Sequence, residues 1–234
     1  MIPIHVESAW KGTSDCHACG IRDLVLFADL NEDDFSLIHE PIDDMAFPVG
    51  RVIYSEGEKA IGVFTLRQGM VKLVRSTADG RERIVRVLKA GDIVGIEALA
   101  TGHYDSEAVA LIDAKLCRIP LRVLHMLSTH SPRLHNRLMQ KWQQALKGAD
   151  DWLADLNFGT ARQRVAKFIL KMRHDDEPSH STLFAREDMG AMMDLKLETV
   201  SREISGLVRD QVIQPLDKAG RLYRIQNENS LASA

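Results

Sequence analysis

Two sets of residues in this 234-residue chain have types and spacings that can do chemistry. The first is a set of thiols. Cys16 and Cys19 stand three apart in Cys16-His17-Ala18-Cys19, and Cys117 follows in Leu116-Cys117-Arg118. Thiolates are soft donors for zinc or iron, and a Cys-x-x-Cys pair can also close a reversible disulfide. The second is Glu198-Thr199-Val200-Ser201-Arg202. Residues three and four apart share one helix face, so Glu198, Ser201 and Arg202 project together. Arg can donate two hydrogen bonds to guanine, Glu can accept one from cytosine, and Ser or Thr can touch base or phosphate. Such a set at the start of an exposed helix suits the major groove. Taken alone, the same pattern also fits an ordinary amphipathic helix with a surface Arg–Glu pair.

The elements around that pentapeptide decide between the two readings. Helical patterns run over Arg186–Met193 and Leu197–Arg209. Gly190 or Ala191 is small where the two helices would cross, Leu195 plugs the turn, and Val200 and Ile204 point back to the core. Lys196, Glu198, Thr199, Ser201 and Arg202 are left outward. Upstream, Thr160 is a candidate N-cap for a helix with Val165, Phe168 and Ile169 on one face. Residues 175–181 read as a loop by composition. Downstream, residues 212–225 read as a hairpin with Ala219-Gly220 in its turn. Two helices followed by a hairpin is the order of a winged helix-turn-helix. From Thr160 to Gln226 there are 12 Lys+Arg against 10 Asp+Glu, a balance of +2 in a chain of net charge −3. Arg162, Arg164, Lys167, Lys171 and Arg173 make its first turns locally basic. A solvated helix face and a phosphate-facing surface are even readings of that cluster.

Residues 132–156 carry a different pattern. Met139, Trp142, Leu146, Ala149, Leu153 and Leu156 recur at spacings of three and four, an a/d seam sustained for nearly three heptads. A helix packed only on its own domain would need no partner. A second, overlapping apolar stripe favours a dimer helix that meets both. Gly148 costs roughly 1 kcal/mol of helix propensity and permits close approach of two backbones.

The first half is strand-like from about residue 21 to 119. Short alternating runs (51–54, 62–66, 70–75, 83–88 and 114–119) are punctuated by glycines, with Asp79-Gly80 a hairpin signal. Such spacing implies an all-β sandwich or jelly roll, with Val71, Leu73, Ile84 and Val87 facing its interior. The composition, 45% apolar and 27% charged, is that of a globular protein. No apolar run reaches the roughly 20 residues of a membrane helix. The first eleven residues have neither a basic start nor an apolar signal core, and three cysteines make no even disulfide set, so a cytoplasmic location is expected. None of the G-x-S-x-G, P-loop, H-E-x-x-H or dinucleotide motifs is present, and no enzyme activity is expected.

From about Cys16 onward, the chain resembles the Crp–Fnr family of bacterial transcription regulators. The resemblance implies an α+β chain in three parts. Residues 1–131 would form a sensor domain with a cyclic-nucleotide-binding-type β jelly roll. Residues 132–158 would form a dimerisation helix, and residues 159–234 a winged helix-turn-helix. Glu198-Thr199-Val200-Ser201-Arg202 is similar to the recognition helix of the Fnr-like branch, which reads a TTGAT-type palindrome. Double-stranded DNA, a second copy of the chain and RNA polymerase are the implied partners. Asp194 stands where the family commonly has a turn glycine.

The resemblance also frames the sensor. Family members that bind cyclic nucleotides carry a Gly-Glu pair and, about ten residues on, an Arg that meets the phosphate. Here Gly95-Ile96-Glu97 interrupts the pair, and Asp105, Ser106 and Glu107 occupy the place of the Arg. A carboxylate repels a phosphate, which argues against cyclic AMP. Arg67 and His103 are conceivable substitutes, although nothing in the spacing supports them. The oxygen-sensing branch holds an iron–sulfur cluster on four cysteines. Cys16, Cys19 and Cys117 match three of these places, whereas Val25 and Phe27 stand where the third N-terminal cysteine would be. The thiol set is thus incomplete. Asp15, His17 and Asp23 are nearby candidates for a fourth ligand. A relict or redox-active thiol site, zinc, haem (with His17, His103, His125, His130 and His135 as its possible ligands) and no cofactor at all are the alternatives. Oxygen, nitric oxide or redox state is the expected signal.

Overall fold

The computed structural model describes residues 26–31, 33–34, 37–38, 40–76, 82–174 and 177–233. The chain divides into two compact units, residues 1–80 with 85–147 and residues 81–84 with 148–234.

The first unit is built on two four-stranded sheets. One has the order β1 (Asp43–Phe47), β8 (Ala114–Pro120), β3 (Gly62–Gln68), β6 (Ile93–Val94). The other has the order β2 (Val52–Tyr54), β7 (Glu107–Ala110), β4 (Val71–Ser76), β5 (Glu82–Leu88). Strand β8 pairs antiparallel with both β1 and β3, which places Cys117 opposite Asp44 on one side and Thr65 on the other. Inward-facing Phe64, Leu66, Val71, Leu73, Val94 and Leu116 form one core with Tyr54 and Tyr104. Val71, Leu73, Ile84 and Val87 are all buried, as their alternation predicts. The Asp79-Gly80 turn lies outside the described residues.

A second core joins the strands to helices. The short helix α1 (Ala98–Thr101) precedes α2 (Leu121–His130) and the long α3 (Pro132–Asn157). Val123, Leu124 and Leu127 of α2, with Leu134 and Leu138 of α3, pack against Val63, Ile93 and Ile119 of the strands. Helix α2 falls in a stretch without a clear helical pattern. It is set by burial of its 123/124/127 face rather than by a cap, since Pro120 at its N-cap offers no side-chain bond.

The second unit begins with α4 (Ala161–Lys171). Its start is a capping box: Thr160 Oγ1 accepts from the Gln163 backbone N–H, and Gln163 Oε1 accepts from that of Thr160. Val165, Phe168 and Ile169 are buried on one face. Helices α5 (Arg186–Met193) and α6 (Leu197–Arg209) have the expected bounds, and α7 (Glu228–Ala232) follows near the C-terminus. Strands β9 (His180–Thr182), β10 (Ile213–Pro215) and β11 (Leu222–Ile225) form an antiparallel sheet ordered β10-β11-β9. Composition assigns residues 175–181 to a loop; the structure instead begins β9 at His180. Tyr223 of β11 supplies the pairing partner for Ser181, a long-range pairing that local composition does not encode.

Candidate nucleic-acid interface

The turn between α5 and α6 is built from crowded backbone. Helix α5 ends at Asp194, whose φ of 52° is left-handed and whose N–H donates to the Gly190 carbonyl. Asp therefore takes the conformation that a glycine would supply, which Asp tolerates better than most residues. Leu195 N–H donates to the same carbonyl. A Cβ on Gly190 would lie 2.6 Å from the Leu195 carbonyl oxygen, so the close return of the chain requires glycine there.

Helix α6 starts at Lys196, whose extended backbone (ψ 147°) precedes the first turn. Val200, Ile204 and Leu207 are buried and anchor the helix. Lys196, Glu198 and Arg202 are exposed, while Thr199 and Ser201 are half-buried beside them. The Arg202 side chain is 72% exposed and makes a loose 3.5 Å contact with Glu203. Glu198 in the first turn also suits the positive end of the helix dipole. The face thus presents an exposed guanidinium, a carboxylate and hydroxyls at the N-terminal end of one helix, the donors and acceptors that base edges require.

The basic first turns of α4 are used differently. Arg162 pairs with Asp210 at 2.7 Å, and Arg173 with Glu228 at 2.7 Å. Lys171 pairs with Asp155 at 2.7 Å and lies over the Trp152 ring. Arg164 donates to the Met193 carbonyl at 2.8 Å, bracing the end of α5. Four of the five cations are therefore engaged in intramolecular bonds, which favours the structural reading of that cluster. Sequence reasoning missed two further contacts of the unit. Asp217 Oδ1 accepts from the backbone N–H groups of Arg221 and Leu222 in the hairpin turn. These backbone bonds, Arg221 first, hold the Asp217 carboxyl below its ordinary range. Arg186 at the start of α5 reaches Tyr223 and Gly220 of the same hairpin.

The seam residues of α3 divide into two kinds. Met139, Leu146 and Leu153, seven apart, are 50%, 65% and 62% exposed on the single chain. Trp142 packs against the first unit's helical core, Ala149 is half-buried, and Leu156 is buried within its own chain. A Cβ on Gly148 would meet nothing within 4 Å.

Of the thiols, Cys16 and Cys19 lie outside the described residues, as do Asp15, His17 and Asp23. Cys117 is half-buried; its Sγ donates to Asp44 Oδ1 at 3.2 Å, and Asp44 also binds Arg67 at 2.7 Å. Among the described residues no group of three or more His, Cys, Asp or Glu side chains could hold a metal ion. Cys117 with a carboxylate and a guanidinium beside it does not by itself fit an iron–sulfur cluster, which takes several thiolates. His125 and His130 donate to the Leu99 and Met126 carbonyls, and His103 to that of Thr101.

In the loop expected to meet a cyclic nucleotide, Asp105 is exposed, Ser106 is buried, and Glu107 opens β7. Arg67 is engaged by Asp44. Gly95 abuts a stacked tyrosine pair: the Tyr54 and Tyr104 rings lie 3.7 Å apart, and a Cβ on Gly95 would fall 2.9 Å from Tyr104.

Residues 45–130 match the model of the cyclic nucleotide-binding domain, and residues 163–234 that of the Crp-like helix-turn-helix domain. The fumarate nitrate reduction regulatory protein of Klebsiella oxytoca is 30% identical over 224 residues, spanning 93% of this chain and 88% of that one. The chain belongs to the Crp–Fnr family. Its Escherichia coli K12 relative, the fumarate and nitrate reduction regulatory protein, is 29% identical over the same shares. Among solved structures, FixK2 from Bradyrhizobium japonicum has a TM-score of 0.74 at 26% identity, covering 82% of this chain and 96% of that one. A CRP-family transcriptional regulator from Thermus thermophilus has a TM-score of 0.68 at 23% identity, covering 81% and 97%, and shows the shared fold. This Crp–Fnr chain is a DNA-binding transcription regulator. Among the described residues no helix is long and apolar enough to cross a membrane.

Proposed function

We propose that the protein acts as a homodimer that binds a TTGAT-type palindrome in the cytoplasm and works there with RNA polymerase. Its signal is oxygen, nitric oxide or redox state. The observation that carries the DNA reading is the Glu198–Ser201–Arg202 face at the N-terminal end of α6, with Glu198 and Arg202 exposed and Ser201 half-buried between them. Arg202 reads guanine, Glu198 cytosine, and Ser201 the adjoining base or phosphate, while Lys196 and Thr199 contribute at the edge. The dimer reading rests on Met139, Leu146 and Leu153, a heptad-spaced apolar row left open on the chain, beside a Gly148 with free space around it.

The signal reading rests on Cys16, Cys19 and Cys117 standing at three of the places the resemblance gives to cluster cysteines and on relatives named for fumarate and nitrate reduction. A change at the thiols shifts the packing of the α3 pair, and through it the spacing of the two recognition helices. The test compares affinity of the whole protein for a duplex bearing an inverted TTGAT repeat, prepared without oxygen and then exposed to oxygen or nitric oxide. Iron, sulfide, zinc and haem are assayed on the same sample. A severalfold change in affinity that Cys117→Ser abolishes is expected. Equal affinity in every state would sink the signal reading and favour the second one: a constitutive or small-molecule regulator whose thiols are relict. That alternative draws on the hydrogen bond that already engages Cys117 with a carboxylate. A response to cyclic AMP is the least favoured reading, because carboxylates occupy the place of the phosphate-binding Arg.

A further inference from the structure

Arg186 is the first residue of α5, and its guanidinium bridges that helix and the hairpin. One terminal nitrogen donates to the Tyr223 hydroxyl at 3.0 Å and to the Gly220 carbonyl at 3.3 Å. The other reaches Met189 Sδ at 3.5 Å, one turn along α5. The guanidinium carbon lies 5.9 Å from the centre of the Tyr223 ring, within cation–π range. Tyr223 is buried at 5% exposure, so one end of this cluster is anchored in the core. The other end is the hairpin turn, already tightened by Asp217 on the Arg221 and Leu222 amides. Beyond it, Lys218 and Arg221 are exposed at the tip and Arg224 farther along the strand.

We propose that Arg186 is a positioning residue: it fastens the hairpin tip to the first turn of α5, so that the tip and the recognition helix are presented to DNA as one rigid body. A planar guanidinium with several donors in a fixed fork can bridge a carbonyl, a hydroxyl and a ring face together, which an ammonium cannot. With the bridge in place, the tip cations Lys218 and Arg221 keep a constant offset from Glu198 and Arg202. Their encounter with the phosphate backbone then incurs no ordering cost at the moment of binding. Without it, the tip loses its tie to the helices, and the turn held by Asp217 opens more often. The inference rests on the reading of α6 as the base-contacting element.

The test uses the full chain and two readouts, one of them free of DNA. In hydrogen exchange of the unliganded protein, Arg186→Ala is expected to speed exchange of the Gly220–Leu222 amides about tenfold, with α6 amides unchanged. On a duplex bearing the inverted TTGAT repeat, Arg186→Ala is expected to weaken binding about tenfold, and Tyr223→Phe about threefold. The double variant should be no weaker than Arg186→Ala alone, because both act through one contact. Arg186→Lys should recover little. Thermal unfolding of each variant separates a local loosening from global destabilisation. A direct phosphate contact by Arg186 predicts the opposite pattern: unchanged exchange, a silent Tyr223→Phe, additive losses and a salt dependence reduced by about one ion. Any of the first three would overturn the proposal. If the wild-type chain ignores this duplex, the TTGAT reading fails, while the exchange result still decides the role of Arg186.

Discussion

The turn between α5 and α6 and the glycine-rich loop of the β-roll both bring backbone into tight quarters, yet they treat polar atoms differently. At the turn, the Gly190 carbonyl accepts from both Asp194 and Leu195, and Arg164 donates to the Met193 carbonyl. The side chains that remain outward at the head of α6 are the ones that can meet bases. Around Gly95 the space is filled by Tyr54 and Tyr104, stacked face to face. The Tyr104 hydroxyl donates to the Gly62 carbonyl at 2.7 Å, but the Tyr54 hydroxyl and Glu97 Oε1 are buried without a hydrogen-bond partner among the described residues. Burial pushes the Tyr54 phenol well above its usual range, reinforced by the Glu97 charge. The reading head is thus braced by several made bonds, with Arg164 Nε its one buried nitrogen lacking a partner among the described residues, whereas in the sensor interior a phenol and a carboxylate oxygen both go unused, which costs stability.

Four substitutions sharpen that contrast. The largest effect is expected from Gly190→Ala, which drives a methyl group into the Leu195 carbonyl and should cost about 2–3 kcal/mol, read as a lowered unfolding midpoint. An unchanged midpoint would mean that the turn yields easily and is not the rigid element described. Next is Arg202→Ala, expected to cost about 1–3 kcal/mol on the palindrome and nothing measurable on scrambled DNA. Equal loss on both would make Arg202 a phosphate contact. The smallest effects come from the tyrosine pair. Tyr104→Phe removes a made hydrogen bond and should cost about 1 kcal/mol in denaturant unfolding, while Tyr54→Phe should be neutral or stabilising. Equal losses would show that the Tyr54 hydroxyl has a partner after all.

The same two regions show what a single sequence reveals. The winged helix was legible because its signals are local: the Thr160 N-cap, the 200/204 apolar pair and the small Gly190-Ala191 at the crossing all act within a few residues. The outward face of α6 followed by subtraction. Strand β9 was not legible, since Ser181 is ordered by Tyr223, more than forty residues away. Nor were the engagements of Arg162, Arg164, Lys171 and Arg173, because an exposed cation and a paired one have the same letter. Arg186 was hidden for that reason too: its partners Gly220 and Tyr223 are brought near only by the fold. In the β-roll, alternation correctly predicted the inward set of Val71, Leu73, Ile84 and Val87, but strands β1, β6 and β7 and helix α2 left no comparable pattern.

If a second copy covers the open row at Met139, Leu146 and Leu153, as proposed, that row ties the behaviour of the protein to its abundance. For a chain that covers such a row only against a second copy, folding and association share one equilibrium, governed by mass action. Its melting temperature would climb with the logarithm of its concentration. A cell could then silence the regulator by dilution alone, with no change at the thiols and none at the recognition helix.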